Sequence, residues 1–477
     1  MIGSAHTGAC VRPLDVPAGV LRRLATSRPR DYPVLLDSVA QGPLGRVSLL
    51  LARPRAALWL DRAGCVRACG DVPVAGSFLA SLERWWLAER TDEPTAGGEL
   101  AFMGGWGLFF SYELAQEIEP RLKLPASRLP WRALAVRTPC ALVHVQATGR
   151  VLAVAEGGPQ SELDLEQLAL DAQRVALEPA PPPTAPLALE IHEEDPRRHL
   201  ERVRRAKEYI RAGDIYQANL SRPWRIVPRR DEGVAARLDG SHVPQIYARL
   251  CAANPAPFAA LLQWGEVAVL SSSPERLIRV SGADVETRPI AGTRPRTGRP
   301  GVDAAEAAAL VAHPKERAEH IMLIDLERND LGRVCEAGSV RVDELMVTET
   351  YAHVHHIVSN VRGRLRSGVT PIGALKAVYP GGTITGCPKF RCMQIIAQLE
   401  GEGRGAYTGS VGFLSRSGAM DLNILIRTLT LQDGEITLRA GGGIVADSDP
   451  ERELEETRAK ARGLLAAFTA GGTRDAA

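Results

Sequence analysis

Two acidic stretches carry carboxylates at helical spacing. In PKERAEHIMLIDLERNDLGR, residues 314 to 333, Pro314 can open a helix. Glu316 and Glu319 then fall at i and i+3 on one face. In DSDPERELEETRAKARGLL, from 447, Asp449 caps and Pro450 starts a helix. Glu453, Glu456 and Lys460 fall there at i, i+3 and i+7. Taken alone, such a stripe is most often a salt-bridged, solvated helix face. Taken together, two of them could offer oxygen ligands to Mg2+, which prefers carboxylates and water.

Other stretches offer different chemistry. HVHHIVS (353–359), read as a strand, puts His356 on one face with Val354 and Val358, and His353 and His355 on the other. A histidine on an apolar face is more often a satisfied core residue than a catalyst. YPGGTITGCPKFR (379–391) brings glycines, Thr383, Thr385 and Lys389 together, which suits a carboxylate or phosphate. It lacks the GxxxxGK[ST] pattern of a nucleotide-binding loop, and AGGGIVADS (440–448) lacks GxGxxG. RPIAGTRPR (288–296) holds two prolines, a glycine and three arginines, and reads as an ordered cationic loop or strand end that meets a small anion.

The elements that position these residues fall into two stretches. EPAPPPTAPL (178–187) cannot be helix or central strand and marks a linker over 178–194. Before it, residues 1–177 contain short β-rich runs such as RVSLLLARP, ALVHVQATG and RVLAVAE, with GGWGLFFSYEL at 104–114. After it, residues 195–470 form the better organised part. Asp195-Pro196 caps a helix that stops at Gly213, a helical stretch follows around 303–328, and a last helix spans 450–469. Strands are expected at QANLSRPWRI, FAALLQWG, EVAVLSS, RLIRVSG, HHIVSNVRGRL, GSVGFLSR, LNILIRTLTL and EITLRAGGGIV. Strands without regular βαβ alternation imply an α+β fold with a mostly antiparallel sheet.

Composition excludes several classes. The chain has 477 residues, is 45% hydrophobic and 24% charged, and carries a net charge of +2. Nothing there points to nucleic acid or to a membrane surface. No apolar run reaches the roughly 18 to 20 residues of a membrane span. The first residues lack the apolar core of a secretion signal. Eight cysteines are scattered without a CxxC pair, which fits a reduced, cytoplasmic enzyme.

In chain order, GDIYQANLS (213–221), SSSPERL (271–277), RPIAGTRPR, ERAEHIMLIDLERNDLGR (316–333), HHIVS (355–359), PGGTITGCPK (380–389), AYTGSVGF (406–413), IRTLT (426–430), AGGGIVADS and ELEETRAKA (453–461) form a series. It resembles that of the chorismate-utilising enzymes: anthranilate synthase component I, aminodeoxychorismate synthase component I, isochorismate synthase and salicylate synthase. The resemblance covers about 195 to 470; LLDS (35–38) and GGWGLFFSYEL extend it more loosely. It implies two mostly antiparallel sheets packed as a sandwich, flanked by helices, with a deep active-site cleft.

The resemblance also implies roles. Glu319 and Glu456 match Mg2+ ligands, with Glu316 and Glu453 beside them. Tyr407, Arg427, Gly443 and Lys460 match positions that hold substrate carboxylates. Gly292, Thr293 and Gly442 belong to the same substrate-binding motifs. Glu275 matches the general acid that protonates the departing 4-hydroxyl. Thr383 matches a residue near the ring and leaving group, and His356 a histidine beside the ring.

Two positions bear on the product. The water-using members have lysine at the position of Gln217, and glutamine cannot act as that base, so the expected nucleophile is ammonia. Aminodeoxychorismate synthases usually read PIKGT, with a lysine that forms a covalent adduct at C2. Ala291 stands there as in anthranilate synthases and offers no amine. PGGTITG, GDIYQANLS and GGWGLFFSYELAQEIEP resemble aminodeoxychorismate synthase component I more closely. The expectation is therefore amination at C4 to 4-amino-4-deoxychorismate, for para-aminobenzoate and folate synthesis. The alternative is amination at C2 with loss of pyruvate, for tryptophan synthesis. The chain shows no glutaminase signature, and the resemblance implies a separate glutamine amidotransferase subunit. LLDS and NPAPFAA (254–260) resemble a tryptophan pocket, with Ser38, Pro257 and Phe258 as contacts. A strand end and a proline turn explain them equally well.

Overall fold

The computed structural model describes residues 9–40, 44–91, 100–179, 189–229, 237–296, 299–350 and 354–468. Its layering follows from strands that are apolar on both faces. In Gly105–Phe110, Trp106, Leu108 and Phe110 enter one apolar layer and Phe109 another, the two-residue period of a strand. A Cβ on Gly107 would stand 2.8 Å from Leu51 Cδ1 and 3.0 Å from Val34 Cγ2, so the opposite sheet occupies that space. Cys140–Val145 repeats the pattern from the other side. Cys140 and Leu142 point to one layer, and Ala141, Val143 and Val145 to the layer shared with Phe109. That shared layer is the centre of a β-sandwich.

Among the described residues one sheet has twelve strands and the other eleven, all paired antiparallel. The first runs Cys10–Leu14, Arg150–Ala155, Cys140–Val145, Val47–Ala52, Val34–Asp37, Phe258–Trp264, Val267–Ser273, Thr428–Gln432, Glu435–Ile444, Gln217–Pro228 and Leu189–Glu193, with Gly386–Cys387 also on Gln217–Pro228. The second runs Ile290–Pro295, Val354–Arg364, Asp284–Arg288, Arg276–Ser281, Met420–Asn423, Ser410–Ser415, Gly105–Phe110, Trp131–Thr138, Ala56–Asp61 and Val66–Cys69, with Arg341–Thr350 also on Val354–Arg364. Helices Val20–Ser27, Ser161–Leu177, Val243–Ala253 and Pro450–Leu465 cover the outer face of the first sheet. Phe78–Glu89, Pro314–Gly332 and Pro371–Val378 cover the second. The fold is α+β with two antiparallel sheets, as the resemblance implies.

Several boundaries differ from expectation. Of the linker expected over 178–194, residues 180–188 lie outside the described residues, and Leu189–Glu193 is a strand on Gln217–Pro228. Residues 1–177 and 195–470 share both sheets. Val34–Asp37 pairs with Phe258–Trp264, and Gly105–Phe110 with Ser410–Ser415. Proline content marks an interruption in sequence, whereas strand pairing ignores sequence distance. The helical stretch 303–328 is two helices, Pro300–Ala312 and Pro314–Gly332, because the residue before a proline avoids the α region. The last helix ends at Leu465. RPIAGTRPR contains a strand, Ile290–Pro295, at the sheet edge where prolines are tolerated, with a register shift between Ala291 and Thr293. LNILIRTLTL is two strands in opposite sheets: Met420–Asn423 in the second and Thr428–Gln432 in the first.

Candidate active site

That crossing from sheet to sheet delivers Arg427. It has φ of +52°, a left-handed conformation that costs a non-glycine residue free energy. Glu275 lies in the connection between Val267–Ser273 and Arg276–Ser281, another passage from the first sheet to the second. It is 4% exposed. Burial pushes its carboxyl up to about 8, with the nearby Glu327 carboxylate adding to the rise and Thr383 and Arg427 opposing it. The Thr383 hydroxyl donates to Glu275 Oε1 at 2.7 Å. A carboxyl that stays protonated at neutral pH can donate a proton to a leaving oxygen.

Gln217 opens the strand Gln217–Pro228 and is buried. A Cβ on Gly443 would stand 1.9 Å from Gln217 Nε2, so a side chain at 443 would displace the Gln217 amide. Gln217 Oε1 is buried without a hydrogen-bond partner among the described residues. Two residues along, Asn219 pairs with Gly443, and its amide reaches Thr383 O at 3.5 Å. Gln217 and the Glu275–Thr383 pair are thus carried on neighbouring backbone.

His356 lies on Val354–Arg364, with Nδ1 3.4 Å from Gly292 O. Burial, with Arg427 and Lys460 adding positive potential, pushes its imidazole down to about 3, so it is neutral at working pH. Of its neighbours in the sequence motif, His353 lies outside the described residues. Gly292 has φ of +61°, and a Cβ there would stand 2.8 Å from Glu316 Oε2. The backbone of Thr293 pairs with His356; its side chain lies outside the described residues. Glu316 and Glu319 sit in the first turns of Pro314–Gly332.

The second acidic helix approaches from the other sheet. Asp449 caps Pro450–Leu465 by accepting from Arg452 N. A Cβ on Gly442 would stand 3.3 Å from Glu456 Oε1 and 3.4 Å from Glu453 Oε2. Lys460 pairs with Glu456 at 2.7 Å and donates to Gly441 O at 2.8 Å. Among the described residues no three His, Cys, Asp or Glu side chains gather as a ready-made metal cage. Pairs of carboxylates do suit Mg2+, which commonly takes one or two carboxylates and completes its shell with water and substrate oxygens. The donor chemistry therefore fits that ion.

Tyr407 is buried, and burial pushes its hydroxyl up to about 12. It lies two residues before Gly409, beside the half-buried Arg427 in the chain path: Thr408 N donates to Leu425 O at 2.8 Å. The cluster grades outward from Glu275 and His356 to the exposed Glu456 and Lys460.

These stretches match a known family. Residues 62–466 fit the description "chorismate binding enzyme". The chain belongs to the chorismate-binding enzymes. It is 42% identical over 374 residues to an anthranilate synthase component I-like protein of Synechocystis, covering 77% of this chain and 73% of that one. It is 37% identical over 443 residues to aminodeoxychorismate synthase component 1 of Klebsiella aerogenes, covering 91% and 93%. Anthranilate synthase component I from Streptococcus pneumoniae superposes with a TM-score of 0.75 at 31% identity, over 89% of this chain and 93% of that one. A chorismate-utilising enzyme with the fold of that synthase is therefore established.

Ser38, Pro257 and Phe258 lie apart from this cluster. They line a cavity of about 810 Å³ between the sheets, to which none of Gln217, Glu275, His356 or Arg427 contributes. Ser38 Oγ donates to Val47 O at 2.8 Å and to Pro257 O at 3.3 Å. Sequence reasoning missed Glu327, a buried carboxyl that burial pushes up to about 7. Its signal was available: Leu323, Glu327 and Asp330 share a face of Pro314–Gly332 at i, i+4 and i+7, which places carboxyls on an inward stripe. Among the described residues no helix is long and apolar enough to cross a membrane.

Proposed function

We propose that the protein aminates chorismate with ammonia at C4, giving 4-amino-4-deoxychorismate. The observation that carries the ammonia half is Gln217. Its buried carbonyl oxygen, lacking a partner among the described residues, accepts an N–H but cannot strip a proton from water. Ammonia attacks without losing a proton first. Glu275 donates the proton that lets the 4-hydroxyl leave as water, with Thr383 fixing the carboxyl. The C4–O bond breaks as a first ammonia bonds C2 and both ring double bonds shift. A second ammonia then bonds C4 as the C2 amine departs as ammonia and the double bonds shift back. Neutral His356 lies beside the ring and orients the leaving hydroxyl. Tyr407, Arg427, the Gly442–Gly443 backbone and Lys460 hold the two substrate carboxylates. Glu319 and Glu456, with Glu316 and Glu453, would hold Mg2+, which supplies charge neutralisation for a substrate carboxylate.

A second reading has its own observation. Ala291 offers no amine for covalent attack at C2, as in anthranilate synthases. The relatives divide the same way, one named for each activity at comparable identity. On that reading ammonia bonds C2 and pyruvate is eliminated. PGGTITG, GDIYQANLS and the GGWGLFFSYEL run favour C4. The deciding assay supplies chorismate, Mg2+ and ammonium, with and without aminodeoxychorismate lyase. Para-aminobenzoate that forms only with the lyase supports C4 amination. Fluorescent anthranilate formed without it overturns that product. Transfer from glutamine is proposed to need a separate amidotransferase subunit, and adding one to a glutamine-fed assay tests this.

A further inference from the structure

One buried side chain outside this chemistry ties together three of the segments that carry candidate site residues. All five N–H donors of Arg404 are engaged. Nε and Nη2 hold Glu400 at 3.0 and 2.7 Å, and Nη2 also reaches Asn219 O at 2.6 Å. Nη1 reaches Ile384 O at 3.1 Å and Thr408 Oγ1 at 3.3 Å. Three of these partners lie within two residues of a site residue. Asn219 lies two residues from Gln217, Ile384 follows Thr383, and Thr408 follows Tyr407. The guanidinium also lies over the ring of Tyr407 at 5.6 Å and that of Tyr112 at 4.8 Å.

Charge balance keeps the hub fixed. Burial would raise the Glu400 carboxyl, but Arg404 and Arg439 pull it down to about 2, so it remains an anion. Arg439 and the Ser221 backbone and hydroxyl occupy its remaining acceptor sites. The backbone of Arg404 is held from the N-terminal third. Glu113 Oε1 accepts from Arg404 N at 2.7 Å and Gly405 N at 3.1 Å, and Tyr112 N donates to Gly405 O at 3.0 Å. The same SYEL segment reaches the glycine-threonine loop, because Tyr379 Oη donates to Ser111 O at 2.6 Å.

We propose that Arg404 is a positioning residue that sets Gln217, the Thr383–Glu275 pair and Tyr407 relative to one another, and that Ser111, Tyr112 and Glu113 complete its clamp. The N-terminal third is then a component of the catalytic apparatus. This rests on the reading that those residues face one substrate. A plain core role predicts uniform loosening on substitution, whereas a clamp predicts loosening confined to the site with a specific kinetic effect.

The test uses the full-length protein with Glu113→Ala, Glu113→Gln and Arg404→Lys, read by chorismate consumption with ammonium and by backbone hydrogen exchange. Glu113→Ala is expected to lower kcat about tenfold to a hundredfold, the scale of a small misplacement of reacting groups. KM changes less, and the alkaline limb of kcat moves to higher pH as Thr383 loosens from Glu275. Glu113→Gln, which keeps the accepting oxygen, recovers most of the loss. Exchange rises at 217–221, 381–386 and 405–409 and stays at the wild-type rate in the Cys140–Val145 and Arg150–Ala155 hairpin. Uniform exchange across the chain, or wild-type kcat in Glu113→Ala, overturns the clamp. Arg404→Lys removes the fork and is expected to behave like Glu113→Ala; if it does not fold, the Glu113 pair decides alone. If the wild type consumes no chorismate with ammonium, the functional reading fails, and the exchange pattern still decides the clamp.

Discussion

Thr383 donates to Glu275 at 2.7 Å and is the strongest influence opposing the burial of that carboxyl. If Glu275 is the proposed general acid, the pair sets the pH range in which it can act. Glu275 is protonated below about 8 and loses its proton above it. Turnover should hold through neutral pH and fall on the alkaline side. Removing the donor with Thr383→Val should move that fall to higher pH while lowering the maximum. A pH profile of kcat for both proteins checks this, and an unmoved limb would separate Thr383 from the acid.

Glu275 also makes a stability prediction. Its folded pKa lies above its unfolded value, so the fold favours the protonated form. The stabilisation is complete below the ordinary carboxylate range and is lost as pH rises through about 8. Glu275→Gln should cut turnover about 10² to 10⁴-fold. The same variant should melt higher than wild type at alkaline pH, with the difference closing as pH falls toward 4. Thermal unfolding across that range tests it; a constant difference would contradict the buried-acid assignment.

Gly443 separates two kinds of crowding. A methyl group there meets Gln217 Nε2 at 1.9 Å, whereas at Gly442 it meets the Glu456 and Glu453 oxygens at 3.3 and 3.4 Å. Gly443→Ala should displace Gln217 and reduce ammonia-dependent turnover about a hundredfold. Gly442→Ala should instead weaken the response to Mg2+. Kinetics against ammonium and against Mg2+ distinguish them.

For the metal, Glu319→Ala and Glu456→Ala should each raise the Mg2+ concentration needed for half-maximal turnover, and a chelator should abolish wild-type turnover. Titration of Mg2+ in the steady state is the measurement. An unchanged requirement in either variant would remove that residue from the metal site.

Ala291 pairs with Ile357 on a bulged edge strand, next to Gly292 and the His356 contact. If this position faces C2 of the ring, Ala291→Lys should form a covalent adduct with chorismate, visible by intact-protein mass spectrometry. A variant without adduct would place residue 291 away from C2.

Local chemistry made the helix ends legible. Asp195 and Asp449 cap as their positions before Pro196 and Pro450 imply, because capping depends on adjacent backbone alone. Motif order singled out Glu275, Gln217 and His356, but gave none of their contacts. The break inside LNILIRTLTL was hidden because both halves are strand-like, and only the packing of two sheets decides that Arg427 lies between them. Glu113 and Arg404 were hidden for a related reason. Each looks like an ordinary surface charge until a fold brings them together across 291 residues.

The interleaving of strands has a consequence for synthesis. A nascent chain extrudes Val34–Asp37 and Gly105–Phe110 long before Phe258–Trp264 and Ser410–Ser415 exist to pair with them. Their apolar edges must wait, exposed, until the second half leaves the ribosome. Pairings so distant in sequence fold slowly and invite aggregation while they wait. A gene cut at the proline-rich segment would thus yield two fragments with open, sticky edges, each needing the other in the same cell at the same time.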